Sequence, residues 1–209
     1  MADHSEHTNR TPTPGDPWPW DERFRDMPWP KDPDPLLVEY CSDLPKGKAV
    51  DLGAGTGRNS IFLAGLGYEV TAVDASQVGL DITANRAKSE ALVIETVLAN
   101  LDDFHLEADT YDLVVIANIH MMPPDSKKLF KMAINGLKHG GHLFVVGHDR
   151  SNLGVHGPPL PELLYSVDDM QDLFPEDLEI KVLKNEERPV GDSPHGVPDM
   201  AVIVLGEKK

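Results

Sequence analysis

Asp51, the three glycines at 53, 55 and 57, and Asp74 are the residues whose types and spacing most directly imply chemistry. They sit in "AVDLGAGTGRNS" and "GYEVTAVDAS", each at the end of a short apolar run. Alternating glycines directly after such a run let a ligand come very close to the backbone. The dinucleotide fingerprint requires a further glycine where Arg58 stands, and no Gly-Lys-Ser/Thr follows, so neither a pyrophosphate turn nor a P-loop fits. Asp51 would disfavour a pyrophosphate and suit an ammonium group. Asp74, closing the next run, is placed to accept hydrogen bonds from ribose hydroxyls. A ligand with an ammonium group, a ribose and no phosphate answers this pattern, and S-adenosylmethionine is such a ligand.

These residues need elements to hold them. From residue 36 the chain alternates helical and strand-like segments: "LLVEYCSDL" (helix), "KAVDL" (strand), "RNSIFLAGL" (helix stopped by Gly67), "YEVTAVD" (strand), "QVGLDITANRAKSEA" (helix), "LVIETVLAN" and "YDLVVIAN" (strands), "SKKLFKMAINGLK" (helix stopped by "HGG") and "HLFVVGHD" (strand). Ser166 and Asp169 form a capping-box-like helix start, and "LEIKVL" and "DMAVIVL" read as a closing pair of strands. Alternation of this kind predicts a parallel sheet covered on both faces, and near-continuous apolar runs such as "DLVVIA" agree with it. Ligands in such sheets lie beyond the carboxyl ends of the strands. That nominates Asp51–Asn59, Asp74–Ser76, Asn100–Asp103, Asn118–Met121 and His148–Arg150.

Residues 1–35 stand apart, with eight of the 18 prolines and all three tryptophans. Proline at this density forbids a regular helix or central strand and favours extended or turn conformations. The first 15 or so residues are expected to be disordered. Trp18, Trp20 and Trp29 imply that the remainder either staples onto the body, residues 36–209, or folds over a site as a lid.

"AVDLGAGTGRNSIFLAGLGYEVTAVDAS" resembles the first two strands of class I S-adenosylmethionine-dependent methyltransferases, and "GRNS" and "GYEVTAVDAS" are most similar to their tellurite-resistance branch. The resemblance runs over residues 36–150 and is sharpest over 48–76. It implies an α/β, Rossmann-like, doubly wound seven-stranded sheet, mostly parallel with the last strand antiparallel. It implies Gly53, Ala54, Gly55 and Gly57 beneath the methionine part of the cofactor, Arg58 and Asn59 beside its carboxylate, and Asp74 on the ribose. Ala75, Ser76, Ala117 and Asn118 flank those positions. Asn100 stands where many relatives have Asp; with Leu101 it would bracket adenine, and Asp102 is the alternative adenine partner.

The acceptor is less legible. After the fourth strand "ANIHMMPP" lacks the Pro-Pro-aromatic motif of enzymes that methylate amines of DNA bases. The lone Cys41 argues against a cytosine-C5 mechanism and against a cysteine-built metal site. No carboxylate set for magnesium is seen. The reading is a metal-free methyltransferase for a small molecule. A soft thiol or chalcogen acceptor is favoured by the branch resembled, with phenol or quinol oxygen as rival. The alternative is a non-catalytic protein that binds or senses the cofactor. His120 is either a base near the methyl group or a packing residue; His148 and Asp149 either meet substrate or brace a loop. Arg188 and His195 stand in the loop before the last strand, where relatives often build the substrate pocket, or in a merely solvated loop; Met121 and Met122 are adaptable apolar wall or plain core packing. His4, His7, His105 and His139 are set aside as surface.

A net charge of −16 argues against nucleic acid as a partner. No apolar run reaches the ~20 residues of a membrane span, and "MADHSEHTNR" lacks a signal-peptide core. A cytoplasmic monomer or homodimer is expected.

Overall fold

In a computed structural model the alternating segments close into one sheet; the structure describes residues 20–188 and 199–209. The strands are β1 (Lys48–Leu52), β2 (Glu69–Asp74), β3 (Ile94–Leu98), β4 (Tyr111–Ala117), β5 (Leu137–His148), β6 (Leu178–Arg188) and β7 (Asp199–Lys208), in the order β3-β2-β1-β4-β5-β7-β6. The first five are parallel, while β7 runs antiparallel between β5 and β6. The sheet is thus the seven-stranded one expected. Its order reverses between β1 and β4, which opens a crevice at their carboxyl ends.

Side chains of a strand alternate between the two faces, and both faces here are apolar. On one face Val50, Leu52, Val114, Ile116, Leu143 and Val145 pack against Leu129, Phe130 and Ile134 of helix α5 (Pro123–Gly136). On the other, Ala49, Leu113, Val115, Phe144 and Val146 meet Leu36 and Leu37 of α2 (Pro35–Cys41) and Leu63 of α3 (Arg58–Gly65). Such double burial is why "DLVVIA" needs no polar alternation. Helix α4 (Gln77–Ser89) flanks β2 and β3, and α6 (Val167–Gln171) packs near β6. Ser166 Oγ accepts from Asp169 N at 3.2 Å, as its spacing predicts, but the Asp169 carboxylate pairs with Arg150 instead of closing the box.

Two local expectations are corrected. "HGG" does not stop α5: the helix ends at Gly136 and β5 begins at once. His139, Gly140 and Gly141 lie within the strand, where its pairing with β4 slips between Tyr111 and Leu113. A Cβ on Gly141 would come 2.9 Å from the carbonyl oxygens of Lys138 and Tyr111, so the glycine permits this irregularity. Second, the proline-rich arm contains a helix, α1 (Trp20–Asp26), in the proline-free "WDERFRD". Trp29 Nε1 donates to Arg23 O at 3.0 Å, and Met27 N donates to the same carbonyl at 3.0 Å. The disorder expected of the first 15 residues, and the positions of Trp18 and His195, lie outside the described residues. Among the described residues no helix is long and apolar enough to cross a membrane.

Candidate functional site

The turn after β1 is shaped by its glycines. Gly53 and Gly55 have φ of 74° and 56°, a left-handed region costly for other residues. Gly53 N and Ala54 N donate to Val73 O of the neighbouring strand at 2.8 and 3.0 Å, and Gly55 N donates to Asp74 Oδ2 at 2.8 Å. A Cβ on Gly53 would run into the Ile119 side chain, so the loop passes close under the segment that follows β4. Gly57 has a different task. It precedes α3 with φ 76°, and a Cβ there would strike Thr83 of α4, so this glycine lets the two helices approach.

Asp51 and Asp74 end neighbouring strands beneath and beside that loop. Asp51 is fully buried, and Ser60 Oγ donates to its Oδ2 at 2.6 Å. Burial lifts its carboxyl to about 6; the Ser60 hydroxyl opposes the rise and the Asp74 charge adds to it. Burial likewise raises the Asp74 carboxyl, against hydrogen bonds from Ser76 N and Gly55 N. Ser76 N donates to Asp74 Oδ1 at 2.8 Å, so each oxygen takes one backbone N–H and keeps capacity for another donor. Ala75 is exposed and Ser76 is buried at the start of α4.

Other nominated residues have structural partners. Asn59 Oδ1 accepts from Asp34 N at 2.9 Å, and Arg58 Nη2 lies 3.5 Å from Asp34 Oδ2; both tie α3 to the start of α2. Asn100 Oδ1 accepts from Asp102 N at 3.2 Å in an exposed turn after β3, while Leu101 packs on the core. Ala117 ends β4, and Asn118 just after it adopts φ 58° and donates its N–H to Val146 O at 2.8 Å.

A second polar cluster forms at the far ends of β4, β5 and β7. Of the two readings of His120, its contacts favour the packing residue. Its Nε2 accepts from His148 N at 3.3 Å, so Nδ1 must carry the proton that it donates to Leu163 O at 2.8 Å. Burial, with His148 alongside, pushes its pKa down to about 3. His120 is a neutral brace, and both nitrogens are used. Its ring stacks on His148 at 5.4 Å between centroids. Tyr165, 5.0 Å away, donates its hydroxyl to Ile119 O.

His148 is held differently. Its Nδ1 lies 2.9 Å from Asp199 Oδ1. An acidic partner fixes the proton on Nδ1 and leaves the Nε2 lone pair for another donor. Asp199 is in turn held by Arg188 Nη1 at 2.6 Å and Asn152 Nδ2 at 2.8 Å. Burial would raise the Asp199 carboxyl, but His148 and Arg188 together hold it down to about 2, so it stays ionised. Asp149, by contrast, accepts from Ser151 N at 2.8 Å and Asn185 Nδ2 at 3.0 Å, which is loop bracing.

Arg188 is also corrected in place. It ends β6, only 6% exposed, instead of standing in a solvated loop. Nη2 donates to Asn118 Oδ1 at 2.8 Å, and Nε lies 3.3 Å from Asp34 Oδ2. One guanidinium therefore joins β4, β7 and the base of the arm. Asp199 and Asp34 were not anticipated. The available signal was their type and position: one acidic residue opening a buried strand, and one just before a proline-started helix. Among the described residues no group of three His, Cys, Asp or Glu side chains is set to hold a metal ion.

Residues 49–141 match the methyltransferase-domain family. With this match, the glycine loop and the sheet order, the chain is similar to class I S-adenosylmethionine-dependent methyltransferases. It is 34% identical over 85 residues, 41% of this chain, to the probable S-adenosyl-L-methionine-dependent methyltransferase TehB of Haemophilus influenzae, covering 29% of that protein. It is also 32% identical over 100 residues, 47% of this chain, to a ubiquinone biosynthesis O-methyltransferase of Coxiella burnetii, covering 43% of it. The chain thus spans less than half the length of these two relatives. The solved structure of H. influenzae TehB superposes with a TM-score of 0.69 at 21% identity, covering 84% of this chain and 62% of that one. A structure described for conversion of a disulfide bond into a thioacetal group in echinomycin biosynthesis gives 0.74 at 18% identity, covering 91% and 90%. At such identities the structures attest the fold alone.

Proposed function

We propose that this chain transfers a methyl group from S-adenosylmethionine to a phenol- or quinol-type hydroxyl of a small molecule, with His148 as general base. The single observation that carries the acceptor is the His148–Asp199 pair at the carboxyl end of β5. A soft thiolate or chalcogen oxyanion needs no proton removed, whereas a phenolic hydroxyl does. The name of the C. burnetii relative refers to O-methylation, which agrees with this reading. The thiol or chalcogen acceptor is the second reading, supported by the similarity to TehB.

The residues present fit the cofactor. A loop closed to any Cβ at Gly53 offers backbone to the methionine part, buried Asp51 stands near for the ammonium group, and Asp74 retains acceptor capacity for the ribose. Bound S-adenosylmethionine supplies an electrophilic methyl on a sulfonium that needs no help to leave. The protein's work is then alignment and proton removal. Asp199 holds the His148 ring with its proton on Nδ1, and Nε2 takes the acceptor's proton as its oxygen attacks in line. His120 keeps the neighbouring ring in place, and Arg188 keeps Asp199 ionised and fixed.

Methyl transfer to a panel of quinols, phenols, thiols, selenite and tellurite tests the reading. Turnover on hydroxyls is expected; turnover confined to thiols or chalcogens would select the second reading. Cofactor binding without turnover on any acceptor class would instead favour a sensing protein.

The raised Asp51 carboxyl also sets a pH dependence. The ionised form holds an ammonium group, so binding releases a proton whenever Asp51 starts protonated. Cofactor affinity is therefore expected to be greatest near pH 7 and to weaken about tenfold by pH 5, roughly one unit below the Asp51 midpoint. Calorimetry across that range measures it, and Asp51→Asn should abolish the slope. For the unliganded fold the sign is opposite. A carboxyl raised from 3.8 to about 6 favours the native state below its unfolded value, an advantage lost as pH rises through 6.

A further inference from the structure

The arm offers an observation that the transfer chemistry does not use. Helix α1 lies across the segments assigned to the cofactor. Phe24, the buried residue of α1, sets its ring edge against the middle glycine of the loop. A Cβ on Gly55 would lie 3.1 Å from Phe24 Cζ, and one on Gly79 would lie 3.1 Å from Phe24 Cδ2. Asp21 reaches the residues beyond Asp74: Ser76 Oγ donates to Asp21 Oδ1 at 2.5 Å and Val78 N at 3.3 Å. Those hydrogen bonds hold the exposed Asp21 carboxyl below its ordinary range.

The helix is stiffened by its own aromatics. Trp20 stacks on Phe24 at 5.5 Å, Phe24 meets Trp29 edge-on at 5.0 Å, and the Arg23 guanidinium lies 5.3 and 5.8 Å from the two indole centroids. The two ends of the arm differ in how firmly they are held. Its base is fixed inside the fold, where fully buried Asp34 meets Asn59, Arg58 and Arg188. Its outer part rests on Phe24, on the Asp21 bonds, and on Arg86 Nη2 donating to Lys31 O at 3.1 Å. The proline-rich "MPWPKDP" joins them. A firm base, a stiff rider and side-chain contacts over a site are the parts of a cover that swings.

We infer that helix α1 is a closing cover of the cofactor site, with Phe24 and Asp21 as its latch, so that cofactor release requires the arm to lift. The inference rests on the assignment of the glycine loop and Asp74 to S-adenosylmethionine. Every tryptophan of the chain lies in the arm, at 18, 20 and 29, so intrinsic tryptophan emission reports this segment alone.

The test uses the full chain and S-adenosylhomocysteine, the product form of the cofactor. Calorimetry first establishes binding; no binding would overturn the site assignment, and this inference with it. Given binding, a saturable change in tryptophan emission is expected on mixing. Phe24→Ala is expected to raise the dissociation rate in stopped flow by more than about tenfold, and Asp21→Ala by about threefold, because latch contacts act chiefly on the off-rate. Asp21→Ala removes only an exposed side chain and serves if Phe24→Ala unfolds the protein. Binding with unchanged tryptophan emission, and with wild-type dissociation in Asp21→Ala, would overturn the cover while leaving the cofactor site intact.

Discussion

Alanine at His148 is expected to lower kcat on a hydroxyl acceptor by about 10²- to 10⁴-fold, the usual worth of a positioned general base. Cofactor affinity should change less than about threefold, because the ring belongs to the cluster at β5 and β7, away from Asp51 and Asp74. The companion variant Asp199→Asn removes the charge that favours the Nδ1 proton while preserving size. It should lose activity to an intermediate degree, since an amide can orient the ring through either of two tautomers. Added imidazole should restore part of the His148→Ala rate and little of the Asp199→Asn rate. That rescue separates a missing base from a merely loosened strand end. If His148→Ala turns over hydroxyl acceptors at the wild-type rate, no base is needed there and the proposed mechanism fails. His120→Ala offers a contrast. Its ring nitrogens are both engaged by backbone, so its loss should act through stability and the placement of His148.

Alanine at Asp74 is expected to weaken cofactor binding by at least about 100-fold, roughly 2.7 kcal/mol. Two losses combine. The ribose loses its acceptor, and Gly55 N and Ser76 N, each at 2.8 Å, lose the carboxylate that sets the glycine loop against the start of α4. Asp74→Asn keeps one acceptor oxygen and turns a donor toward one of those N–H groups, so its affinity should fall between. Calorimetry with S-adenosylhomocysteine measures both, and a melting curve for each variant separates lost binding from lost fold. Unchanged affinity in Asp74→Ala would defeat the ribose assignment.

The two variants probe regions that differed in how far they could be read. The glycine loop was legible because its constraints are local. Positive φ at Gly53 and Gly55 follows from the turn itself, and Asp51 and Asp74 are placed by the ends of their own strands. The neighbouring residues, expected beside the ligand, also have partners within the fold. Arg58 and Asn59 open α3, as their position implies, but face Asp34, and Asn100 turns back on Asp102. Sequence placed these side chains at the site's edge without showing what would reach them first. The polar cluster was legible only as types. His120 and His148 look alike in sequence, each following a buried strand. One is consumed by two backbone partners and the other is paired to a carboxylate 51 residues away.

By itself, the sequence determined an alternating α/β sheet and a glycine turn flanked by two strand-end acids, while the resemblance implied seven strands with the last antiparallel. Apolar periodicity, strand-end acids and glycine conformation are properties of neighbouring residues. Tertiary structure alone decided which histidine is paired with a carboxylate, that Arg188 is a buried clamp, and that α1 lies over Gly55. Each depends on contacts between segments far apart in the chain. Which of several eligible partners a buried polar group meets is set by how the sheet and helices bring those segments together, because every such group must be satisfied where it comes to rest.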